Sequence, residues 1–317
     1  MNRRAAIAAG AAFAALPRIA AAQSGTPLRI IGPPNDGFKA VYYAAKSGIF
    51  AKHGIDAEVS LINSGSAAAA ALIGGAADVA FTNITTLILA HNKGLPMHII
   101  APGALFDSEL RMTTAIVVLK DSPFRSGADL NGKTIGSVSL GDTMAASIQA
   151  WVDQTGGDSK TIKIIEVPAS ASADSLQAGR ISAATMNEPA VSQALATGNV
   201  RALTNPNSAI SKKFLQALFA VMAPVAAAKA DAMQRYAQAM RESSAYTNTH
   251  LPETVDLVAG YSGIAAATVA RSARFVDALT IDPALIQPVI DVLVKYGLTA
   301  PSFPAGQLVS PYALKTS

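Results

Sequence analysis

The sequence predicts an α/β protein of two lobes with a cleft between them. Strand-like apolar runs alternate with helix-like stretches from residue 28 to 222, the pattern that builds mainly parallel sheets. Polar, Gly- or Pro-containing turns recur where those strands end. Beyond Pro224 the pattern becomes helix alone, so a third segment has to pack back onto one of the lobes.

From the N-terminus, residues 1–22 read as an export signal. Met1-Asn2-Arg3-Arg4 supplies a positive start and residues 5–16 a short apolar run, and Ala20-Ala21-Ala22 places small residues at a cleavage site before Gln23. The run is too short to stay as a membrane-spanning helix, and Arg3-Arg4 leaves both the general secretory and the twin-arginine routes open. Strands are expected over 28–32, 56–62, 78–82 and 97–101, each an apolar run closed by Pro, Asn, Gly or Ser. Helix-period stretches over 38–47, 67–73 and 84–93 separate them. A second series gives strands over 114–120, 134–137, 162–167, 183–186, 200–203 and 217–222, with helices over 143–155, 173–178 and 189–196. The stretch 226–249 reads as one long helix with Met233, Tyr236, Met240 and Tyr246 near one face. Helices over 256–259, 265–272 and 283–296 follow. The division this implies is a first lobe over 23–112, a second over 113–221, and a helical part over 222–317 returning to the first. Two connections between lobes then form a hinge, and the cleft between them is the place for a ligand.

Composition narrows the function classes. The formal charge is +4, and Arg3, Arg4 and Arg18 carry three of those charges, so the exported part is nearly neutral and carries no nucleic-acid footprint. The chain has no cysteine, which excludes disulfides and a lipid-bearing N-terminal cysteine. After the signal no apolar run approaches the 18 residues of a membrane span.

Motifs for catalysis are sparse. Gly127-Ala-Asp-Leu-Asn-Gly132-Lys133-Thr134 satisfies the phosphate-loop pattern, but a turn precedes it and a strand follows, the inverse of the strand–loop–helix context that cradles phosphate. The expected structure there is a short helix around 128–130, a turn at Asn131-Gly132 and entry into a strand. His53, His91, His98 and His250 show no metal-ligand spacing. No nucleophile elbow occurs, and Trp151 reads as core.

Five strand ends are the candidate ligand-binding material, because open α/β sheets bind ligands beyond the carboxyl ends of their strands. They supply Asn35 after the first strand; Ser64, Gly65 and Ser66 after the second; Asn83 after the third; Asp142 and Thr143 at the opening of a helix in the second lobe; and Glu188 before Pro189. The Ser/Gly loop in particular gathers unpaired N–H groups at a helix start. Helix capping and turn chemistry are open alternatives at every one of these positions.

Four segments resemble a known family. Ala45-Lys-Ser-Gly-Ile-Phe-Ala-Lys-His-Gly-Ile-Asp, Ala71-Leu-Ile-Gly-Gly-Ala-Ala-Asp-Val-Ala, Asp129-Leu-Asn-Gly-Lys-Thr-Ile-Gly, and Leu176-Gln-Ala-Gly-Arg-Ile-Ser-Ala with Glu188-Pro189 are similar to the periplasmic solute-binding proteins of ABC importers in the aliphatic-sulfonate, taurine, nitrate and thiamine-pyrimidine-precursor group. The resemblance implies a type II periplasmic binding protein fold with a hinge and a central ligand cleft. It also implies a monomeric, non-enzymatic periplasmic protein that needs no cofactor or metal, binds no nucleic acid, closes on a small polar ligand and docks on an inner-membrane ABC permease. Ser182 stands where the family usually has Asp, and Gly141-Asp142 where it commonly has Gly-Ser. A carboxylate at Asp142, with Glu188, disfavours an anionic ligand and suits one presenting N–H or O–H groups. The rival readings are an enzyme on the same fold, such as those of the menaquinone pathway, and a ligand sensor for a membrane receptor.

Overall fold

The alternation of apolar and helix-period stretches resolves into three sheets. The computed structural model describes residues 25–110, 112–138, 140 and 143–316; the export signal expected over 1–22, with its cleavage site, lies outside the described residues. Strands of the first pass are β1 (Thr26–Gly32), β2 (Ile55–Leu61), β3 (Val79–Asn83) and β4 (Met97–Pro102), followed by β5 (Ala104–Asp107). The second pass comprises β6 (Thr114–Leu119), β7 (Thr134–Ser137), β8 (Lys163–Glu166), β9 (Ala183–Asn187) and β10 (Val200–Thr204). The return holds β11 (Lys213–Leu215), β12 (Ala217–Met222) and β13 (Val276–Asp277). Helices in the first pass are α1 (Lys39–Lys46), α2 (Ile49–Lys52), α3 (Gly65–Ile73) and α4 (Ile84–Asn92). The second pass has α5 (Thr143–Gln154), α6 (Ala169–Gln177) and α7 (Ala190–Ala196). The return has α8 (Ala223–Ala228), α9 (Ala230–Thr249), α10 (Val255–Ser262), α11 (Ala266–Arg271) and α12 (Gln287–Lys295).

The first sheet has the order β2-β1-β3-β12-β4 and the second β10-β6-β9-β7-β8. In the first, β1 pairs in parallel with β2 and β3, and β12 runs antiparallel between β3 and β4. Side chains alternate across that sheet as strand geometry requires. Val79, Phe81, Phe219 and Val221 face α1 and α9, where they meet Phe38, Val41, Met233 and Tyr236. Ala80, Leu218 and Ala220 face the opposite side, toward Leu72, Leu87 and Ile88 of α3 and α4. The second sheet alternates likewise, with Ile116, Val118 and Ile135 in the cluster that contains Trp151 of α5, and Ala115, Val117 and Ala184 in the cluster of Leu176 and Val191.

The third sheet, β11-β5-β13, is the crossing between lobes. Strand β5 leaves the first sheet for the second and β11 runs back beside it, with Phe214 opposite Phe106 and Lys213 opposite Asp107. None of its three strands was expected from the sequence. Two further expectations are corrected. The strand over 217–222, assigned through residue 221 to the second lobe, belongs to the first sheet, because the chain recrosses at β11 before β12 begins. The helix over 226–249 is broken at Lys229 (φ −117°, ψ 34°), which separates α8 from α9. The phosphate-loop look-alike forms a short 3-10 helix over Ala128–Leu130 that leads into β7. Gly127 is there for close packing: a Cβ on it would lie 2.4 Å from the Val152 carbonyl oxygen. Among the described residues no helix is long and apolar enough to cross a membrane.

Candidate functional site

The carboxyl ends of β1 and β3 in one lobe, and of β9 in the other, open onto a shared cavity of about 380 Å³. Asn35, Gly37, Phe81, Asn83 and Thr85 line it from the first lobe, and Thr114, Thr143, Met144, Asn187, Glu188 and Asn207 from the second. Ala104, Phe214, Gln216 and Ala217 contribute from the two crossings, and Phe275 from the C-terminal part.

Local structure explains how each polar group is held. Asn35 ends the turn after β1, and its Oδ1 accepts from the Gly37 N–H at 3.1 Å. Gly37 is needed for close approach, since a Cβ would sit 2.8 Å from the Phe81 ring. The Tyr261 hydroxyl donates to the Asn35 carbonyl at 2.8 Å and its ring stacks on Tyr42 at 4.3 Å. Burial, then the nearby Asp36 carboxylate, pushes the Tyr261 phenol upward, which keeps it a donor. Asp36 accepts from Arg274 Nε at 2.6 Å and from the Phe275 N–H at 2.7 Å, and so fixes the Phe275 ring in the wall. Asn83 caps α4, accepting from the Thr86 N–H at 2.7 Å. In the second lobe, Asn187 Oδ1 accepts from the Thr114 hydroxyl at 2.9 Å. Glu188 accepts from the Ser192 hydroxyl at 2.7 Å and the Ser192 N–H at 3.2 Å.

Bonds cross to the second lobe at the cavity from two places, and in one of them the Ala273 N–H of the C-terminal part donates to Glu188 Oε1 at 3.5 Å. In the other, the N–H of Thr143, an otherwise orphan donor in the first turn of α5, donates to Thr85 Oγ1 of α4 at 3.2 Å, and the two hydroxyls are also paired. The first lobe thus supplies a cap for a helix of the second.

The structure brings together Asn35, Asn83, Thr143 and Glu188 of the residues expected from sequence. It does not bring Ser64, Gly65 and Ser66 into the cavity wall. Ser64 Oγ accepts from the Ala67 N–H at 3.1 Å, capping α3, and pairs with Ser66 Oγ at 3.0 Å. Gly65 lies against the end of β3, where a Cβ would be 3.3 Å from Thr82 Cα. Asp142 lies outside the described residues. Residues not singled out from sequence include Thr85, Thr114, Asn187, Asn207, Gln216 and the rings of Phe81, Phe214 and Phe275. Asn187 sits beside Glu188 in a strand end already noted, and Gln216 is a lone polar residue between Phe214-Leu215 and Ala217-Leu218. Those were the available signals.

Among the described lining residues Glu188 is the sole charge, and none is Lys, Arg, His, Ser or Cys. None of the four histidines lines it, and among the described residues no group of His, Cys, Asp or Glu could hold a metal ion. Amides and hydroxyls share the wall with the rings of Phe81, Phe214 and Phe275.

A family model described as NMT1/THI5 like matches residues 35–254. No curated protein matches the chain in sequence. The periplasmic aliphatic sulphonate binding protein SsuA from Escherichia coli is similar in structure, with a TM-score of 0.74 at 20% identity over 92% of this chain and 94% of that one. A conserved Candida albicans gene product, described as having the generic periplasmic binding protein structural fold, has a TM-score of 0.67 at 14% identity over 92% and 98%. The desulfurization enzyme DszB, in complex with biphenyl-2-sulfinic acid, has a TM-score of 0.67 at 14% identity over 90% and 96%. At these identities the likeness shows the two-domain periplasmic binding protein fold, which both binding proteins and an enzyme use.

Proposed function

The chain belongs to the NMT1/THI5-like family, and from that premise we propose that it is the periplasmic substrate-binding protein of an ABC importer. It closes on one small ligand and delivers it to an inner-membrane permease, as a monomer and without catalysis. The observation that carries this reading is a cavity walled by both lobes at once, because a ligand touching both favours the closed state by its differential contacts. The lone Glu188 charge and the absence of a described cation in the wall favour an uncharged or cationic ligand over a sulfonate or nitrate. The rings of Phe81, Phe214 and Phe275 favour a flat one. The enzymatic alternative, raised by the likeness to DszB, lacks a nucleophile–base pair among the described lining residues.

The test is a thermal-shift screen of residues 23–317, with mass spectrometry of the recovered ligands. The panel holds sulfonates, nitrate, amino acids, neutral lactams and N-heterocycles. A ligand at about 100 times its dissociation constant adds roughly 2.7 kcal/mol of stability, seen as a rise of several degrees. The expected result is a shift with neutral or cationic ring compounds, which return unchanged. Chemical conversion of the hit, or no shift across the whole panel, overturns the binding-protein reading; a sulfonate hit overturns the charge preference.

A further inference from the structure

The central strands of the two large sheets are counterparts. Strand β3 has β1 parallel on one side and β12 antiparallel on the other, and β9 has β7 parallel and β6 antiparallel. Each runs as four buried residues closed by one exposed asparagine, Asn83 in the first lobe and Asn187 in the second. Both asparagines line the shared cavity.

Their carboxamides are held in the same sense. Asn83 Oδ1 accepts from the Thr86 N–H at 2.7 Å, and Asn187 Oδ1 accepts from the Thr114 hydroxyl at 2.9 Å. A backbone N–H can only donate, so the Thr86 bond fixes which end of Asn83 is oxygen. Among the described residues neither NH2 group has an acceptor. With each oxygen turned into its own lobe, the NH2 ends are what the two side chains leave for the cavity. Capping α4 does not call for an amide, since Asp or Ser caps a helix about as well through oxygen alone. The choice of Asn at the end of β3 is therefore left unexplained by the helix it caps.

We infer that Asn83 and Asn187 are specificity-determining residues, a pair of donors that takes one hydrogen-bond acceptor of the ligand from each lobe. The site then selects small uncharged compounds with two acceptor oxygens over analogues with one. Because the donors sit on different lobes, both bonds form together only in the closed state, and the second acceptor strengthens closure. This rests on the binding-protein reading above.

The probes are succinimide and 2-pyrrolidinone, two small neutral rings that differ by one carbonyl, titrated calorimetrically into wild type, Asn83→Ser, Asn83→Asp and Asn187→Asp. Wild type is expected to bind succinimide about tenfold more tightly, the effect of one well-made hydrogen bond. Each substitution removes one NH2 donor and is expected to lower succinimide affinity by about tenfold and to abolish most of the preference. Asn83→Ser does so without adding charge, which separates loss of the donor from repulsion by a new carboxylate. Ligand-free Asn83→Ser and Asn83→Asp are expected to melt within about two degrees of wild type, because the cap on α4 is kept. If Asn83 only capped the helix, both Asn83 variants would bind succinimide as wild type does. That result, a melting temperature several degrees lower in both Asn83 variants, or no wild-type preference for succinimide overturns the assignment. The binding-protein reading fails separately, through a blank ligand panel or a converted ligand.

Discussion

The two lobes bury polar groups behind one cavity in opposite ways. Behind the first-lobe wall, Lys39 Nζ and Asp277 Oδ2 form a 3.1 Å ion pair with both side chains out of solvent. Burial pushes the Asp277 carboxyl upward, against the pull of Lys39. Asn248 grips the Asp277 backbone from α9, accepting from its N–H at 2.9 Å and donating to its carbonyl at 2.8 Å. Behind the second-lobe wall the buried pair is neutral: the Thr185 hydroxyl lies 3.3 Å from Ser137 Oγ. Apolar packing differs in the same sense. Phe38, Phe81, Phe219 and Tyr236 pack together in the first lobe. The outer core of the second is built from residues such as Ala115, Val117, Ala184 and Met186, with no aromatic ring in the cluster. Charge and large rings make the first wall intolerant of single changes, because removing one ion strands the other in a low dielectric. Small side chains and hydroxyls make the second wall cheaper to alter.

That contrast breaks most readily at Lys39. Lys39→Met is expected to cost about 3–5 kcal/mol in urea denaturation, and adding Asp277→Leu to recover most of it. A Lys39→Met loss no larger than that of Thr185→Val, expected at about 1 kcal/mol, would erase the difference between lobes. Next in size is the contact that ties the C-terminal part to the second lobe. The Tyr296 hydroxyl donates to Asp153 Oδ2 at 2.8 Å. Burial raises the Asp153 carboxyl, but bonds from the Ser159 N–H, Tyr296 and the Ser159 hydroxyl outweigh it and hold the group below the usual range. Tyr296→Phe should cost about 1–2 kcal/mol at neutral pH, measured by denaturation at fixed salt. Thr85→Val should cost about 1 kcal/mol and shift the lobes apart, read as a larger radius of gyration in X-ray scattering with an unchanged circular dichroism spectrum. An unaltered radius would mean that the Thr85–Thr143 bond follows closure and does not support it.

The smallest effect concerns acid stability in the first lobe. Burial pushes the Asp78 carboxyl upward, but Arg29, through side chain and backbone, and Lys229 together pull it below its ordinary value. A depressed folded value stabilises above the unfolded value of about 3.9, and that contribution disappears as pH falls through the folded value. The urea midpoint should therefore fall as pH drops below about 4, with a shallower fall in Asp78→Asn. Equal slopes in the two proteins would remove Asp78 from the account.

Much of the fold was legible because its signals are local. Period-2 and period-3.6 patterns placed nearly every strand of both five-stranded sheets and the helices between them. Strand ends closed by Asn or Pro pointed toward the cavity, and Asn35, Asn83, Thr143 and Glu188 line it, while the Ser-closed end after β2 does not. The expectation of an export signal and the absence of cysteine likewise rest on the sequence alone. Tertiary structure decided which sheet β12 joins, since an apolar strand reads the same whichever neighbours it pairs with. It also decided that the Ser64 hydroxyl caps α3, because a cap and a ligand contact use the same atom and differ only in what lies across from it. Phe275 and Gln216 enter the wall at the ends of short crossing strands whose partners are distant in the chain. Local periodicity can place a strand, but only the closure of distant segments on one another decides which side chains share a cavity.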